Sequence, residues 1–149
     1  MANDISGFGL KIWLVASATF PAGFPISQFA DDADPLDIPS LTIAETGMGG
    51  NGDLVKWSKA NPIKIVIGVI PGSIDDLNLG ILFDANRVAR GKRGARDVIT
   101  LTGIYGDDTT VILKEGIITD GMPANSVASA GRLKSKTYSF TFEDVSRVA

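Results

Sequence analysis

Alternation of apolar and polar side chains is the main pattern along this chain of 149 residues. Leu10, Ile12 and Leu14 occupy every second position of one segment, so they project from one face of an extended strand. The same period predicts further strands over residues 38–46, 53–58, 63–69, 98–105, 109–118 and 135–142. We therefore expect a chain built mainly of β-strands, about seven in all.

One segment has the period of a helix instead. Its apolar residues recur every three or four positions: Ile74, Leu77, Ile81, Ala85 and Val88. This spacing predicts an amphipathic helix with that stripe packed against a core. Ser73 and Asp76 predict its N-terminal cap, Arg87 and Arg90 its last turn, and Gly91 its end.

Glycine, proline and aspartate mark the connections between these elements. Residues 19–39 are rich in all three, which predicts a long surface loop. The glycine-rich run 47–52 predicts the flexible tip of an extended hairpin over about residues 40–58. Together the elements predict a single domain, residues 1–149, formed by an antiparallel β-sandwich or open barrel with one flanking α-helix.

Composition narrows the possible functions. The chain has neither cysteine nor histidine, so thiolate chemistry, the commonest acid–base group and the commonest metal ligand are all missing. We therefore expect a protein that is not an enzyme, with no catalytic, cofactor-binding or metal-binding residues. The net charge of -3 does not indicate a nucleic-acid-binding protein. Residues 1–7 lack a signal-peptide pattern and no long apolar run follows, so we expect synthesis in the cytoplasm.

The tip glycines Gly47, Gly49 and Gly52 also have the spacing of a dinucleotide-binding loop. That function requires a helix directly after the glycines, whose N-terminus holds the pyrophosphate. Here only a short segment follows, and Pro62 ends it. The tip of a hairpin is therefore the favoured interpretation.

Two charged segments are candidate interfaces between subunits. The basic segment contains Arg87, Arg90, Lys92, Arg93 and Arg96. The acidic loop contains Asp31, Asp32, Asp34 and Asp37. The basic segment is open to three interpretations: phosphate contact, a solvated helix end, or docking against the acidic loop of a neighbouring copy, which is favoured. The acidic loop lacks the spacing of a calcium-binding loop, so a solvated or interface loop is favoured over a metal site.

Small polar residues occupy one side of two predicted strands. The first set is Ser40, Thr42 and Thr46, and the second is Ser135, Thr137, Ser139 and Thr141. They predict either the water-facing side of an antiparallel sheet or, in a ring, the smooth polar wall of a channel.

Several segments resemble the tail-tube subunits of contractile-tailed bacteriophages. They are Gln28–Pro35 (QFADDADP), Asn51–Pro62 (NGDLVKWSKANP), Ile70–Ser73 (IPGS), Ala95–Thr100 (ARDVIT) and Ile118–Lys136. The resemblance implies a structural virion protein of the tail, assembled in the host bacterial cytoplasm. It implies hexameric rings that stack into the inner tail tube, through which DNA passes during ejection without sequence-specific binding.

The partners that this resemblance implies are further copies of the chain, the tail sheath protein outside, and the baseplate and tail terminator at the two ends. Two alternatives stay open. One is another ring-forming tail or secretion-tube component, and the other is a β-sandwich module that binds carbohydrate or protein.

In a tube, the predicted hairpin is the expected contact with an adjacent ring. Its candidate interface residues are Glu45, Met48, Asn51, Asp53 and Trp57. Trp57 is expected to be a buried anchor, either in that interface or in the core of its own domain. Ring closure is also expected to pair the free edge strands of the sheet.

Overall fold

The computed structural model describes residues 5–148 of the chain. The expectation of synthesis in the cytoplasm rests partly on residues 1–4, which lie outside the described residues. Both ends of the predicted domain, residues 1–149, also lie outside them. Within this part there are nine strands and one helix: β1 (Lys11–Ala16), β2 (Phe20–Ile26), β3 (Leu36–Asp37), β4 (Ala44–Met48), β5 (Leu54–Ser58), β6 (Ile63–Val69), α1 (Ile74–Asn86), β7 (Ile99–Ile104), β8 (Thr110–Asp120) and β9 (Lys136–Val148). Within residues 5–148, no helix is both long enough and apolar enough to cross a membrane.

Seven strands form one antiparallel sheet in the order β2-β1-β7-β8-β9-β6-β3. The sheet curls until its two ends meet. They meet where Phe29, just past β2, pairs with Val69 of β6. The amide of Ala30 donates to the carbonyl of Gly68, and the amide of Ile70 to that of Gln28, both at 3.0 Å. The predicted mainly β fold, an open antiparallel barrel with one helix, is confirmed.

The inside of this barrel is the core of the protein. β9 alternates as predicted, with Tyr138, Phe140 and Phe142 buried and the residues between them partly exposed. The buried residues of β1 and β6 are Ile12, Leu14, Ala16, Ile63, Ile65, Ile67 and Val69. These side chains, from distant parts of the chain, form one apolar cluster that the helix also joins. Burial of each large side chain contributes about 1.5–3 kcal/mol, so the barrel interior supplies most of the stability.

Helix α1 packs against β2 and β8, but with a different face from the predicted one. Ser73 caps its start as predicted, since Ser73 Oγ accepts a hydrogen bond from the amide of Asp76 at 3.2 Å. Leu79 and Leu82 are fully buried, whereas four of the five residues of the predicted inward stripe are exposed: Ile74, Leu77, Ile81 and Val88. The prediction that this stripe faces a core was therefore wrong. Both arcs of the helix are apolar, and the spacing alone does not decide which arc meets the barrel.

The helix also ends earlier than predicted, at Asn86, with Arg87 as its C-cap. Arg87 and Arg90 are therefore not in its last turn, and Gly91 does not end it. The physical reason is a reciprocal side-chain pair: Asn86 Nδ2 donates to Asp97 Oδ2 at 2.8 Å, and the amide of Asp97 donates to Asn86 Oδ1 at 2.9 Å. This pair fastens both ends of the connector 87–96.

Residues 19–39 are not the single long loop predicted from their composition. Residues 20–26 form β2, which pairs with β1 and buries Phe24 and Ile26. Pro21 and Pro25 fit there because β2 is an edge strand, where the missing N–H faces away from the sheet. A strand edge without these donors is a poor template for pairing. The pairing of free edge strands by ring closure stays a prediction.

Candidate assembly interface

Strands β4 and β5 form a hairpin that is separate from the seven-stranded sheet, in the segment where the sequence predicts one. Its pairs run from Ala44–Ser58 at the base to Met48–Leu54 near the tip. At the tip, the amide of Gly49 donates to the carbonyl of Asp53 at 2.7 Å, and Gly52 has a φ of 87°. Glycine adopts this left-handed conformation without strain, so the tip closes easily. The hairpin is thus formed within a single copy of the chain.

The hairpin exposes large apolar side chains to solvent. The exposed fractions are 69% for Met48, 62% for Leu54, 52% for Val55 and 48% for Trp57. A lone two-stranded hairpin is at best marginally stable in water, and a protein surface rarely shows so many neighbouring apolar side chains without a partner. The hairpin therefore has the character of a contact surface.

The strand register divides these side chains between two faces. Met48, Leu54 and Lys56 share one face because Met48 pairs with Leu54 and Lys56 lies two residues further along. Trp57 lies on the other face, opposite Glu45, and its ring lies beside Gly47. We call the first set the basic face of the hairpin. Trp57 is half-exposed here, so the prediction that it is a core residue of its own domain does not hold.

The second apolar surface is the outer side of α1. Ile74, Leu77 and Ile81 are 69%, 61% and 54% exposed, and we call them the outer stripe of the helix. A groove of about 260 Å³ runs beside the stripe. Its walls include Leu77, Gly80, Ile81, Phe83, Asp84 and Met122. The outer stripe is apolar, whereas the groove beside it is lined by apolar side chains and by the charged side chains of Asp76, Asp84 and Lys136.

The basic segment lies in the connector that follows α1. Arg87 is near Asp84, with Nε and Oδ1 at 3.8 Å, and Lys92 Nζ donates to the backbone carbonyl of Asp84. Arg90, Arg93 and Arg96 are exposed, and Arg96 has a φ of 55°. Their guanidinium groups make no ion pair within residues 5–148. They form a basic surface beside the C-terminal end of the helix.

The acidic loop is partly occupied within its own subunit. Arg132 donates to both carboxylate oxygens of Asp31, at 3.0 and 2.9 Å, and Ser135 donates to Asp32. The hydrogen bond from Arg132 holds the pKa of Asp31 below its usual value. Asp34 and Asp37 stay exposed. Docking of the basic segment against this loop stays a prediction. Fewer carboxylates of the loop are free for such docking than the sequence suggested, because Asp31 and Asp32 already accept hydrogen bonds.

The structure does not gather the two Ser/Thr sets on one face. Thr137, Ser139 and Thr141 lie together on the outer side of β9, between the buried aromatic residues. Ser135 precedes β9, is buried, and is bonded to Asp32. The other set is on the hairpin and the segment before it: Ser40, Thr42 and Thr46. In the single copy, the β9 set lies on the main sheet and the other set lies on or before the separate hairpin. Their role as a channel wall stays a prediction.

Sequence reasoning placed Glu45, Met48, Asn51 and Asp53 on the hairpin, and all four lie on it or at its tip. It missed the outer stripe as a surface, because helical spacing was read as a sign of burial. It also missed Leu54 as an exposed apolar residue, although it placed residues 53–58 in the returning strand of the hairpin.

Residues 3–146 match the family described as tail fiber protein gp32. Among solved structures, the fold is similar to a chain of the anti-feeding prophage baseplate, with a TM-score of 0.62, 10% identity, and coverage of 100% of this chain and 98% of that chain. It is also similar to a chain of the sheath/tube terminator of an extracellular contractile injection system, with a TM-score of 0.56, 16% identity, and coverage of 100% and 99%. The resemblance to tail proteins is confirmed by the family match, and the fold is that of chains from contractile systems.

Two fungal mRNA cap guanine-N(7) methyltransferases also match over 105 residues, or 64% of this chain. They are from Aspergillus oryzae, at 27% identity, and Neosartorya fischeri, at 26%. This chain spans only 21% and 16% of those proteins. The glycines that have the spacing of a nucleotide loop lie at the hairpin tip and lead into β5, not into a helix. The local geometry therefore lacks the helix N-terminus that binds a pyrophosphate.

Proposed function

The chain belongs to the tail fiber protein gp32 family, and from this membership and its fold we propose that it is a structural subunit of a contractile tail. Its copies form hexameric rings that stack into the inner tube of the tail. The virion tail is thus its location, after assembly in the bacterial cytoplasm, and residues 1–149 act as one domain. The chain is not an enzyme in this proposal.

The observation that carries the proposal is the exposed apolar hairpin, which lies outside the seven-stranded sheet. A hairpin with Met48, Leu54 and Trp57 in water gains about 25 cal/mol for each Å² that a neighbour covers. The hairpin contacts a different surface of the next copy, so the contact is heterologous. Repeated heterologous contacts generate closed rings or open filaments. A stacked tube contains both kinds of repeat, because its rings are closed and its stack of rings is open-ended.

Within such a tube, DNA passes through the lumen without sequence-specific contacts. The net charge of -3 fits this role, because a basic wall would bind the phosphates and slow the DNA. The Thr137, Ser139 and Thr141 surface is a candidate lining. The sheath outside and the baseplate and terminator at the ends complete the proposed partners.

The family description favours a second candidate, a subunit of a tail fibre. A fibre and a tube are both made of repeated copies, but only a tube has a continuous central channel. A third arrangement is a ring that does not stack, as a cap or terminator requires. One measurement distinguishes all three arrangements.

That measurement is negative-stain electron microscopy with light scattering, on the wild type and on Leu54→Asp, over a concentration series. We expect hollow rings and tubes for the wild type, and particles of monomer size for Leu54→Asp at the same concentrations. Val127→Asp is the matched control, because Val127 is 68% exposed in a loop outside the hairpin. Wild-type protein that stays monomeric throughout, or solid fibres without a channel, would contradict the tube.

A further inference from the structure

We propose that the basic segment of one copy docks onto the turn between β7 and β8 of a second copy, against the carboxylates of Asp107 and Asp108. This inference rests on the proposed function and adds a second repeated contact to that of the hairpin. The occupant is another copy because each copy carries both halves of the contact, one at each end of β7. Each half combines unpaired charges with exposed apolar side chains.

The basic segment has three arginines whose charge is not paired within one copy. They are exposed and form no ion pair within residues 5–148: Arg90, Arg93 and Arg96. The other two cations, Arg87 and Lys92, already contact Asp84. No aspartate or glutamate occurs among residues 87–96. The segment therefore offers three guanidinium groups to the carboxylates of another molecule.

The backbone of the basic segment is ordered in the single copy. Ala89 and Lys92 exchange two hydrogen bonds, at 3.3 and 2.9 Å, around a turn at Gly91, whose φ is 73°. The amide of Ala95 also donates to the carbonyl of Ala85 in α1 at 2.8 Å. A loop that is already ordered loses little conformational entropy when it binds. The arginines are therefore presented on a preformed surface.

The turn after β7 carries the complementary charge. Asp107 and Asp108 are exposed and form no ion pair within the described residues. Lys11 and Arg147 lie on the strands that flank β7 and β8, and neither pairs with these carboxylates. Hydrogen bonding to Thr109 holds the pKa of Asp107 below its usual value, so this carboxylate is charged at neutral pH. Two backbone hydrogen bonds of 2.9 Å close the turn, so it is ordered as well.

Apolar side chains accompany the charges in both halves. Val88 and Val98, within and just after the basic segment, are exposed. Beside the turn, Ile5 and Phe8 are almost fully exposed, and with Tyr105 they line a groove of about 570 Å³. An apolar cavity of about 150 Å³ holds benzene, so this groove has room for both valine side chains, which are smaller. The lining of the groove contains no lysine or arginine.

The two halves also lie where a repeating contact requires them. The basic segment precedes Ile99, the first residue of β7, and the turn follows Ile104, the last residue of the same strand. The strand between them is roughly 20 Å long. A contact between unlike ends is heterologous, so each copy accepts one neighbour at each end, as a ring or a stack requires.

Two other occupants of the basic segment are less favourable. The acidic loop of a neighbouring copy has two of its four carboxylates engaged by Arg132 and Ser135. The phosphates of DNA would pair with the arginines but would leave Val88 and Val98 uncovered, because phosphate contacts are polar. The turn after β7 offers both unpaired carboxylates and an apolar groove.

The test uses two double variants, one for each half of the contact. Arg90→Glu with Arg93→Glu reverses charge in the basic segment, and Asp107→Asn with Asp108→Asn neutralises the turn. Asparagine preserves the turn because it accepts the same hydrogen bonds and tolerates the left-handed φ of 68° at Asp108. We expect each double variant to raise the concentration for half-maximal assembly, measured by light scattering, about tenfold.

The variant that combines all four substitutions tests whether the two halves meet. In the wild-type background, the two asparagines remove an attraction and weaken assembly. In the background of the two glutamates, the same asparagines remove a repulsion, so we expect them to lower the assembly concentration again. This reversal of sign occurs only if the two sites contact each other.

Lys134→Glu and Asp144→Asn are the matched controls, since both residues are exposed and lie outside the two halves. Thermal unfolding establishes that each variant monomer is folded. If the wild type assembles and either double variant assembles equally well, the docking assignment is overturned while the proposed function stands. Additive losses in the combined variant also overturn it, because the arginines then meet other carboxylates. A wild type that never assembles overturns both proposals.

Discussion

Single residues hold the connections of this barrel in place, and Asp97 is the clearest case. Its Oδ1 accepts hydrogen bonds from the amides of Ala18 and Thr19 at 2.7 and 2.9 Å, and its Oδ2 accepts one from Asn86. Burial on its own raises the pKa of Asp97, but the hydrogen bonds from Thr19 and Asn86 and from these amides outweigh it and leave the pKa below its usual value.

Asp97→Asn is expected to lower the free energy of unfolding by about 1–3 kcal/mol at pH 7, because the amide accepts fewer of these hydrogen bonds. A lowered pKa in the folded state gives stability that is present above the unfolded pKa, about 3.9, and is lost as the pH falls through the folded value. Urea unfolding at pH 7 and pH 3 therefore shows a smaller difference between wild type and variant at pH 3. An equal difference at both pH values contradicts this role, and Asp53→Asn is the exposed control.

The sequence did not reveal Asp97 as a structural residue. Its partners Ala18 and Thr19 lie almost 80 residues away, and nothing local distinguishes it from the other aspartates. Arg132 is similar, because its partner Asp31 is 101 residues distant. Residue-level contacts of this kind depend on the folded topology, so composition and spacing do not identify them.

At the level of secondary-structure elements, the spacing of apolar residues predicted which segments are strands and which segment is a helix. It did not always predict which side of an element is buried. β9 and β6 were found because their aromatic and branched residues alternate cleanly. β2 was missed because Pro21 and Pro25 have the composition of a loop, although an edge strand tolerates them. The helix was found, but its inward face was misassigned because Leu79 and Leu82 form a second apolar arc.

The true inward face of α1 gives a direct prediction for two neighbouring residues. Leu82→Ala is expected to lower the free energy of unfolding by about 2–5 kcal/mol, because it leaves a cavity in the core. Ile81→Ala is expected to change it by no more than about 0.5 kcal/mol, because the side chain is in solvent in the single copy. Urea unfolding of the monomer measures both.

This comparison also separates stability from assembly. Ile81→Ala is expected to weaken assembly although it leaves the monomer stable, whereas Leu82→Ala acts through folding. A larger loss of monomer stability for Ile81→Ala than for Leu82→Ala would show that the helix packs with the predicted stripe inward.

For the whole molecule, closure of the barrel depends on a close approach of backbone at Gly68. A Cβ at this position would lie 2.7 Å from the carbonyl oxygen of Asp34, and 3.4 Å from the Cβ atoms of Ala30 and Ala33. The segment after β2 thus lies directly over β6, and any side chain at Gly68 forces them apart.

Gly68→Ala is therefore expected to lower the free energy of unfolding by about 1–3 kcal/mol, as overpacking of a core does. Gly50→Ala is the control, because a Cβ there meets no atom within 4 Å. Thermal or urea unfolding distinguishes the two. Equal stability of Gly68→Ala and wild type would mean that the two ends of the sheet are not held together.

For the candidate interface too, the sequence pattern predicted some features, whereas others depend on the folded topology. The glycine-rich tip predicted an extended hairpin from the sequence alone, whereas Trp57 was expected to be buried. The exposed outer stripe of α1 was not predictable, because it requires knowing which arc of the helix the barrel leaves uncovered. The acidic loop looked free in the sequence, but Arg132 already occupies part of it.

The two prolines of β2 have a consequence for how the protein behaves at high concentration. Copies that cannot add to one another's sheet at this edge lack one route to generic strand pairing, which is the usual first step toward amyloid. In the proposed tube, a concentrated pool of folded chains then waits unpolymerised until a starting structure offers the specific contact. The length and timing of the proposed tube are in this way left to its initiator and not to chance collisions between chains.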